Sequence, residues 1–276
     1  MTASESGVRP LDPGLGRMVM VVPTYNEVEN LEWIVERVLG AVPETDVLVV
    51  DDGSPDGTGH VADALAARSD RVQVVHRTEK AGLGAAYLHG FAVALGRGYG
   101  VIGEMDADGS HQPEQLPRLM DALTDADLVI GARWIRGGSV VNWSPFRKAL
   151  SVGGNVYARL LLGVPVRDVT AGFRLFRAST LRTIDLEDVE SVGYCFQADL
   201  TLRTVRAGLR VVEVPIEFLE RERGESKMNR AVATESLRRI TRWGIEERRT
   251  QLRGVLSGPR GERPERGLAE DRGELL

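Results

Sequence analysis

Short apolar runs alternating with helical stretches, each run ending in a polar cluster, constrain this 276-residue chain more than any other feature. Met18–Val22, Val47–Val50, Val72–His76, Tyr99–Met105 and Asp127–Ala132 read as buried strands. Helical periodicity separates them: over Asn26–Leu39, from the Gly/Asp/Pro turn after Asp51 to about Arg68, over Gly82–Leu95, and from Pro113, which suits the first turn of a helix. Alternation at this spacing predicts an α/β fold, Rossmann-like, with a mostly parallel sheet and helices on both faces. Ligands of such sheets lie beyond the carboxyl ends of the strands, where the polar clusters of this chain fall.

The most telling cluster is Met105-Asp106-Ala107-Asp108, straight after the fourth strand. Side chains at i and i+2 of an extended segment point the same way, so the two carboxylates converge. Two hard oxygen ligands with open positions suit Mg²⁺ or Mn²⁺ shared with a diphosphate, against the plainer reading of a solvated turn. Pro23, Tyr25 and Glu27 end the first strand, and Asp51 and Asp52 end the second. Acidic groups there accept hydrogen bonds from a base or ribose hydroxyl, while Ser54 or Asp56 caps the following helix. Lys80 and Gly82 sit in a loop that either approaches the nucleotide or simply turns.

The second half is less regular. Helices are expected at 144–162, Phe196–Ala207 and about Asn229–Arg249, and strands at Gly172–Arg177 and Leu209–Phe218. In the first of these helices Trp143, Phe146, Leu150, Val156, Tyr157, Leu160 and Leu161 share an apolar face. Arg147, Ser151, Asn155 and Arg159 form the opposite stripe, ordinarily a solvated one. A guanidinium beside a hydroxyl is also a phosphate cradle. The last helix is basic and carries Trp243, suiting either a membrane interface or packing on the domain.

Composition limits the partners. A net charge of −5 gives no footprint for nucleic acid. Cys195 is alone, so a disulfide framework is ruled out and a reducing compartment expected. The polar N-terminus has no signal-peptide pattern. No stretch of about 18 apolar residues occurs, so membrane contact is expected to be peripheral.

The motifs PTYNE (23–27), DDGSPDGT (51–58), KAGLG (80–84), MDADGSHQPE (105–114), GARWIRGG (131–138), DVTAGFR (168–174), GYCFQ (193–197) and ERERGESKM (220–228), with Arg147, Ser151 and Asn155, resemble one family in its order. It is the inverting glycosyltransferases of family 2, with the GT-A fold, and within it the polyprenyl (dolichyl) phosphate mannose synthases. The resemblance covers about residues 18–230 and implies a leader over 1–16, a GT-A domain over 17–250 and a disordered tail over 251–276. It implies metal binding by Asp106 and Asp108, with Ser110 as third ligand where members often carry Gln, and Gly109 where they often carry Leu. It implies donor contacts from Ala107 and the donor residues above, and a mobile lid carrying Arg221 and Lys227. Arg133, Arg147 and Ser151 would hold the acceptor phosphate. Asp168, with Arg174 as a competing partner, Thr170 and Gln197 would line the sugar and acceptor loop.

The reaction so implied moves mannose from GDP-mannose to a dolichyl or decaprenyl phosphate. It would occur on the cytoplasmic face of a membrane, with an integral-membrane subunit as a candidate anchor. A UDP-sugar-dependent glucosyl or aminosugar transferase, a non-catalytic nucleotide-binding regulator and an Asp-nucleophile phosphatase are the alternatives.

Overall fold

The computed structural model describes residues 13–78, 80–186, 189, 195–221 and 237–246. The first half alternates as expected: β1 (Met18–Thr24), α1 (Leu31–Ala41), β2 (Asp46–Asp51), α2 (Thr58–Arg68), β3 (Val72–His76), α3 (Leu83–Gly96) and β4 (Val101–Glu104). It continues through α4 (Leu116–Leu123), β5 (Leu128–Ala132), a short β6 (Ser139–Val140) and α5 (Pro145–Leu162). The chain then forms β7 (Arg174–Arg177), α6 (Ala178–Thr183), α7 (Cys195–Arg206), β8 (Val211–Pro215) and β9 (Glu217–Phe218). Pro13–Leu15, expected within the leader, makes a 3-10 turn with Leu15 buried.

The main sheet has the order β3-β2-β1-β4-β7-β5-β8, with β6 and β9 paired beside it. All ladders are parallel except those of β7, which runs antiparallel to both β4 and β5. That reversal positions the site. The carboxyl ends of β1, β2, β4, β5 and β8 share one edge, and β7 brings the loop preceding it, residues 168–173, to the same edge. Order reverses between β1 and β4, the switch point where a crevice opens.

Both faces of the sheet are covered, which is why its strands read as continuous apolar runs. Val19 and Val21 of β1 face Tyr87 and Phe91 of α3 and Phe196 of α7; Met18, Met20 and Val22 face Leu31 and Ile34 of α1 and Leu119 of α4.

α5 overturns the expectation of a solvated polar stripe. Asn155, Ala158 and Leu162 are buried, and Ser151 accepts a hydrogen bond from Trp134 Nε1 at 3.2 Å. Much of the apolar side is outside, with Phe146 79% exposed, Leu150 58%, Val156 49% and Leu160 65%, while Tyr157 and Leu161 pack against the core. Arg159, at the end of the polar stripe, is exposed as a solvated stripe requires. Residues 237–246 are helical and pack on α5, with Ile240 buried and Tyr157 Oη 2.7 Å from Thr241 Oγ1. Leu237 and Ile245 of that helix remain exposed. The expected tail lies outside the described residues.

Candidate active site

Asp106 and Asp108 leave the end of β4 at the switch point. Gly109 makes the turn after them with φ of 75°, a conformation glycine adopts without strain. A side chain there would strike the Trp33 ring of α1, at 2.6 Å from its Cζ3. Ser110 donates its N–H to Asp108 Oδ1 at 3.0 Å. Its hydroxyl Oγ is buried with no hydrogen-bond partner among the described residues. Two carboxylates and an orphaned hydroxyl are a hard-oxygen set, and they fit a divalent cation. In this arrangement Arg221 Nη2 lies 3.0 Å from Asp108 Oδ2, putting positive charge where such a cation would sit. Burial pushes the Asp108 carboxyl up, but Arg221 and the Ser110 backbone N–H outweigh it and hold the group below its usual range.

Beneath this pair, Tyr87 Oη donates to Asp106 Oδ1 at 3.4 Å. Burial, then the Asp106 charge, raises the Tyr87 phenol far above its ordinary value, so it remains a donor. Glu104, fully buried, has no hydrogen-bond partner for either oxygen among the described residues. Its nearest cation is Arg174 Nε at 3.8 Å. Burial outweighs that attraction and pushes the Glu104 carboxyl up to about 8, so we treat the pair as neutral acid and cation rather than a salt bridge. The sign of its pH effect follows: stability is full below the unfolded value of 4.5 and falls as pH rises toward about 8. Glu104→Gln is expected to flatten that fall, read from urea midpoints near pH 5 and near pH 8.

The residues expected to contact the nucleotide follow β1 and β2. Asp51 accepts from Thr24 Oγ1 at 3.1 Å and from Ser54 Oγ at 2.5 Å. Asp52 pairs with Arg77 Nη1 at 2.6 Å and accepts the Gly82 N–H at 3.1 Å. Asp56, one residue before the Gly57 N-cap of α2, accepts the Thr58 N–H at 3.0 Å. Glu27 accepts from Asn30 at 2.9 Å, and its own N–H goes to Thr58 Oγ1. Lys80 Nζ stacks 3.6 Å above the Tyr25 ring, and Pro23 and Ala107 are buried beside these loops. Lys227, with Gly224 and Ser226 of the expected lid, lies outside the described residues.

Among the residues expected to hold the acceptor, Arg133 follows β5. Its Nε and Nη2 reach Asp168 at 2.8 and 2.7 Å, and its backbone N–H donates to Asp168 Oδ2 at 2.7 Å. Pairing with Arg174 was the reading that competed with hydroxyl recognition for Asp168. Instead Arg174 is buried against three carbonyls, donating to Ala171, Gln197 and Val169 at 2.6, 2.8 and 2.8 Å. Thr170 Oγ1 accepts from Arg133 and from Asn155 Nδ2, both at 3.1 Å. Arg147, partly exposed, pairs with Glu220 at 2.6 Å and stacks 4.0 Å from Trp143. Gln197 is buried, with Oε1 unpartnered among the described residues.

Sequence reasoning missed Arg77, Tyr87, Trp134, Glu220 and above all His111. The His111 ring is 2% exposed, stacked on Phe173 with centroids 5.2 Å apart, and its Nδ1 accepts the Asp106 N–H at 3.2 Å. Burial holds its pKa down to about 4, so it is neutral near pH 7. Its position directly after the acidic pair and Ser110 was the signal available.

A doubly wound sheet with paired aspartates at its switch point defines the GT-A class of glycosyltransferase folds. The solved glucosyl-3-phosphoglycerate synthase of Mycobacterium tuberculosis, in complex with Mn²⁺, uridine-diphosphate and glucosyl-3-phosphoglycerate, shares that fold. It matches with a TM-score of 0.61 and 19% identity over 84% of this chain and 80% of that one. The chain belongs to glycosyl transferase family 2, whose family model matches residues 19–185. An undecaprenyl-phosphate mannosyltransferase of Micrococcus luteus is 56% identical over 87% of this chain and 99% of its own length. A polyprenol monophosphomannose synthase of Mycolicibacterium smegmatis is 56% identical over 87% of this chain and 91% of its length. A dolichol-phosphate mannosyltransferase of Pyrococcus furiosus is 35% identical over 82% of this chain and 63% of its length.

Proposed function

We propose that this glycosyltransferase moves mannose from GDP-mannose to the phosphate of a polyprenyl monophosphate, inverting the sugar and releasing GDP. The observation that carries the lipid acceptor is the orientation of α5. Arg147 and Ser151 face the site on one side, while Phe146, Leu150, Val156 and Leu160 face outward on the other. A helix polar toward the site and apolar toward the outside suits an acceptor whose phosphate is charged and whose tail is in a bilayer. The mannosyl donor rests on the names of the relatives above, and guanine on the resemblance of the motifs.

Mg²⁺ or Mn²⁺, held by Asp106, Asp108 and Ser110 Oγ, would offset the charge of the departing diphosphate. The chain's own groups do the rest. Arg147, released from Glu220, and the Arg133 edge near Thr170 orient the acceptor phosphate; Arg221 and the Lys80–Tyr25 pair lie on the donor side. A phosphate monoester has a second pKa of about 6, so the attacking oxygen is largely ionised near neutral pH and needs no dedicated base. Holding two anions in line is the main task of the site.

The test is incubation of the full chain with radiolabelled nucleotide sugars, decaprenyl phosphate and Mg²⁺. Label is expected in the organic phase from GDP-mannose; label from UDP-glucose instead, or from none, would overturn the assignment. No helix among the described residues is long and apolar enough to cross a membrane, so the proposed contact is peripheral, with α5 as its surface. The Phe146→Ser, Leu160→Ser double variant is expected to lower cosedimentation with anionic vesicles about tenfold or more, given roughly 1.5–3 kcal/mol for each large apolar side chain buried. Its thermal melt should match that of the wild type, since both side chains are exposed.

A further inference from the structure

We propose that Trp33 and Arg37 of α1 are positioning residues for the cation site, holding the turn that carries Asp108 and Ser110, an inference that rests on the divalent-cation reading above. Core packing accounts for neither of them. α1 buries Leu31, Ile34, Val35 and Val38, whereas Trp33 is 45% exposed. Trp33 and Arg37 stand one turn apart on the helix, with the Arg37 guanidinium carbon 4.5 Å from the centre of the Trp33 ring. What the ring touches is Gly109, the residue between Asp108 and Ser110. A methyl group on Gly109 would lie 2.6 Å from Trp33 Cζ3 and 2.9 Å from Cη2, so ring and turn meet with no room between them.

Arg37 reaches the same residue through Gln112. Its Nη2 donates to Gln112 Oε1 at 2.6 Å, and Gln112 Nε2 donates to the Gly109 carbonyl at 2.8 Å. Glu114 fixes the guanidinium in turn, accepting from Nε at 2.9 Å and from Nη2 at 2.6 Å. Gly109 is therefore held from α1 twice, by ring contact at its Cα and through its carbonyl. The next residue is held from another segment, where the Ser110 carbonyl accepts the Leu219 N–H at 3.1 Å. Gly109 has φ of 75°, and a glycine leaves such a conformation readily unless its neighbours prevent it. Any change in its torsions alters the distance between the Asp108 carboxylate and the Ser110 hydroxyl. Small divalent cations such as Mg²⁺ take ligands near octahedral positions at about 2.0–2.1 Å, so a turn fixed in advance binds them more tightly.

The experiment counts bound Mn²⁺ by electron paramagnetic resonance as the metal is titrated into the full chain, once without GDP and once with it. Trp33→Ala and Arg37→Ala are each expected to bind Mn²⁺ about tenfold more weakly, the scale on which removing a group that orients a metal ligand acts. The Mn²⁺ concentration giving half-maximal transfer should rise by the same factor. Trp33→Phe, which keeps an aromatic ring against the turn, is expected to recover most of the affinity. Wild-type Mn²⁺ affinity in both alanine variants, whether or not their melting temperatures fall, would overturn the positioning role and leave the cation reading intact. Failure of the wild type to bind Mn²⁺ in either titration would overturn the cation reading and the positioning role with it.

Discussion

Asp108→Ala is expected to lower mannosyl transfer by about 10³-fold, and Asp106→Ala by a similar factor, with the chain still folding cooperatively. The magnitude is of the order seen when a preorganised electrostatic contact to developing charge is removed. Asp108 is held ionised by Arg221 and the Ser110 backbone N–H, so it is an acceptor for a cation near neutral pH. Its removal leaves one loop N–H unpaired, a small cost in a loop already at the edge of the sheet. Initial rates across an Mn²⁺ titration, with far-UV melting as control, measure the effect. More than about a tenth of wild-type activity in Asp108→Ala would remove the cation from the account of this site.

Arg133→Ala should produce the largest loss of stability, about 3–5 kcal/mol, because it strands a buried carboxylate. Asp168 is fully buried and receives three hydrogen bonds from Arg133, two from the guanidinium and one from the backbone. Only the backbone bond survives the substitution. Urea unfolding reads the loss, and the Arg133→Ala, Asp168→Ala double variant should recover much of it by removing the orphaned charge. Activity should not return, since Thr170 and the acceptor side lose their guanidinium in both variants. Equal stability of Arg133→Ala and the wild type would show that the pair does not hold this loop.

Much of the fold was legible because its signals are local. Strand runs at Met18–Val22 and Val47–Val50, and the turn chemistry of residues 51–58, follow from neighbouring residues alone. The acidic pair was legible for the same reason: its place straight after the fourth apolar run is read from neighbouring residues alone. The orientation of α5 was not legible. Periodicity locates its amphipathic axis but does not say which side meets the protein, and here much of the apolar side faces out. The partner of Asp168 was equally hidden. Arg174 is six residues away and Arg133 thirty-five, and only the sheet decides between them.

The amino-acid order by itself settled which segments become strands and helices and which polar groups stand at strand ends, since both depend on short-range sterics and periodic burial. The tertiary structure alone decided which of those groups meet. The reversed β7 carries residues 168–173 to the edge where Asp106 ends its strand, and it sets Gly172 beside His111 and Gln197. Contacts between segments tens of residues apart depend on strand order and direction, and those are fixed by packing the whole sheet at once.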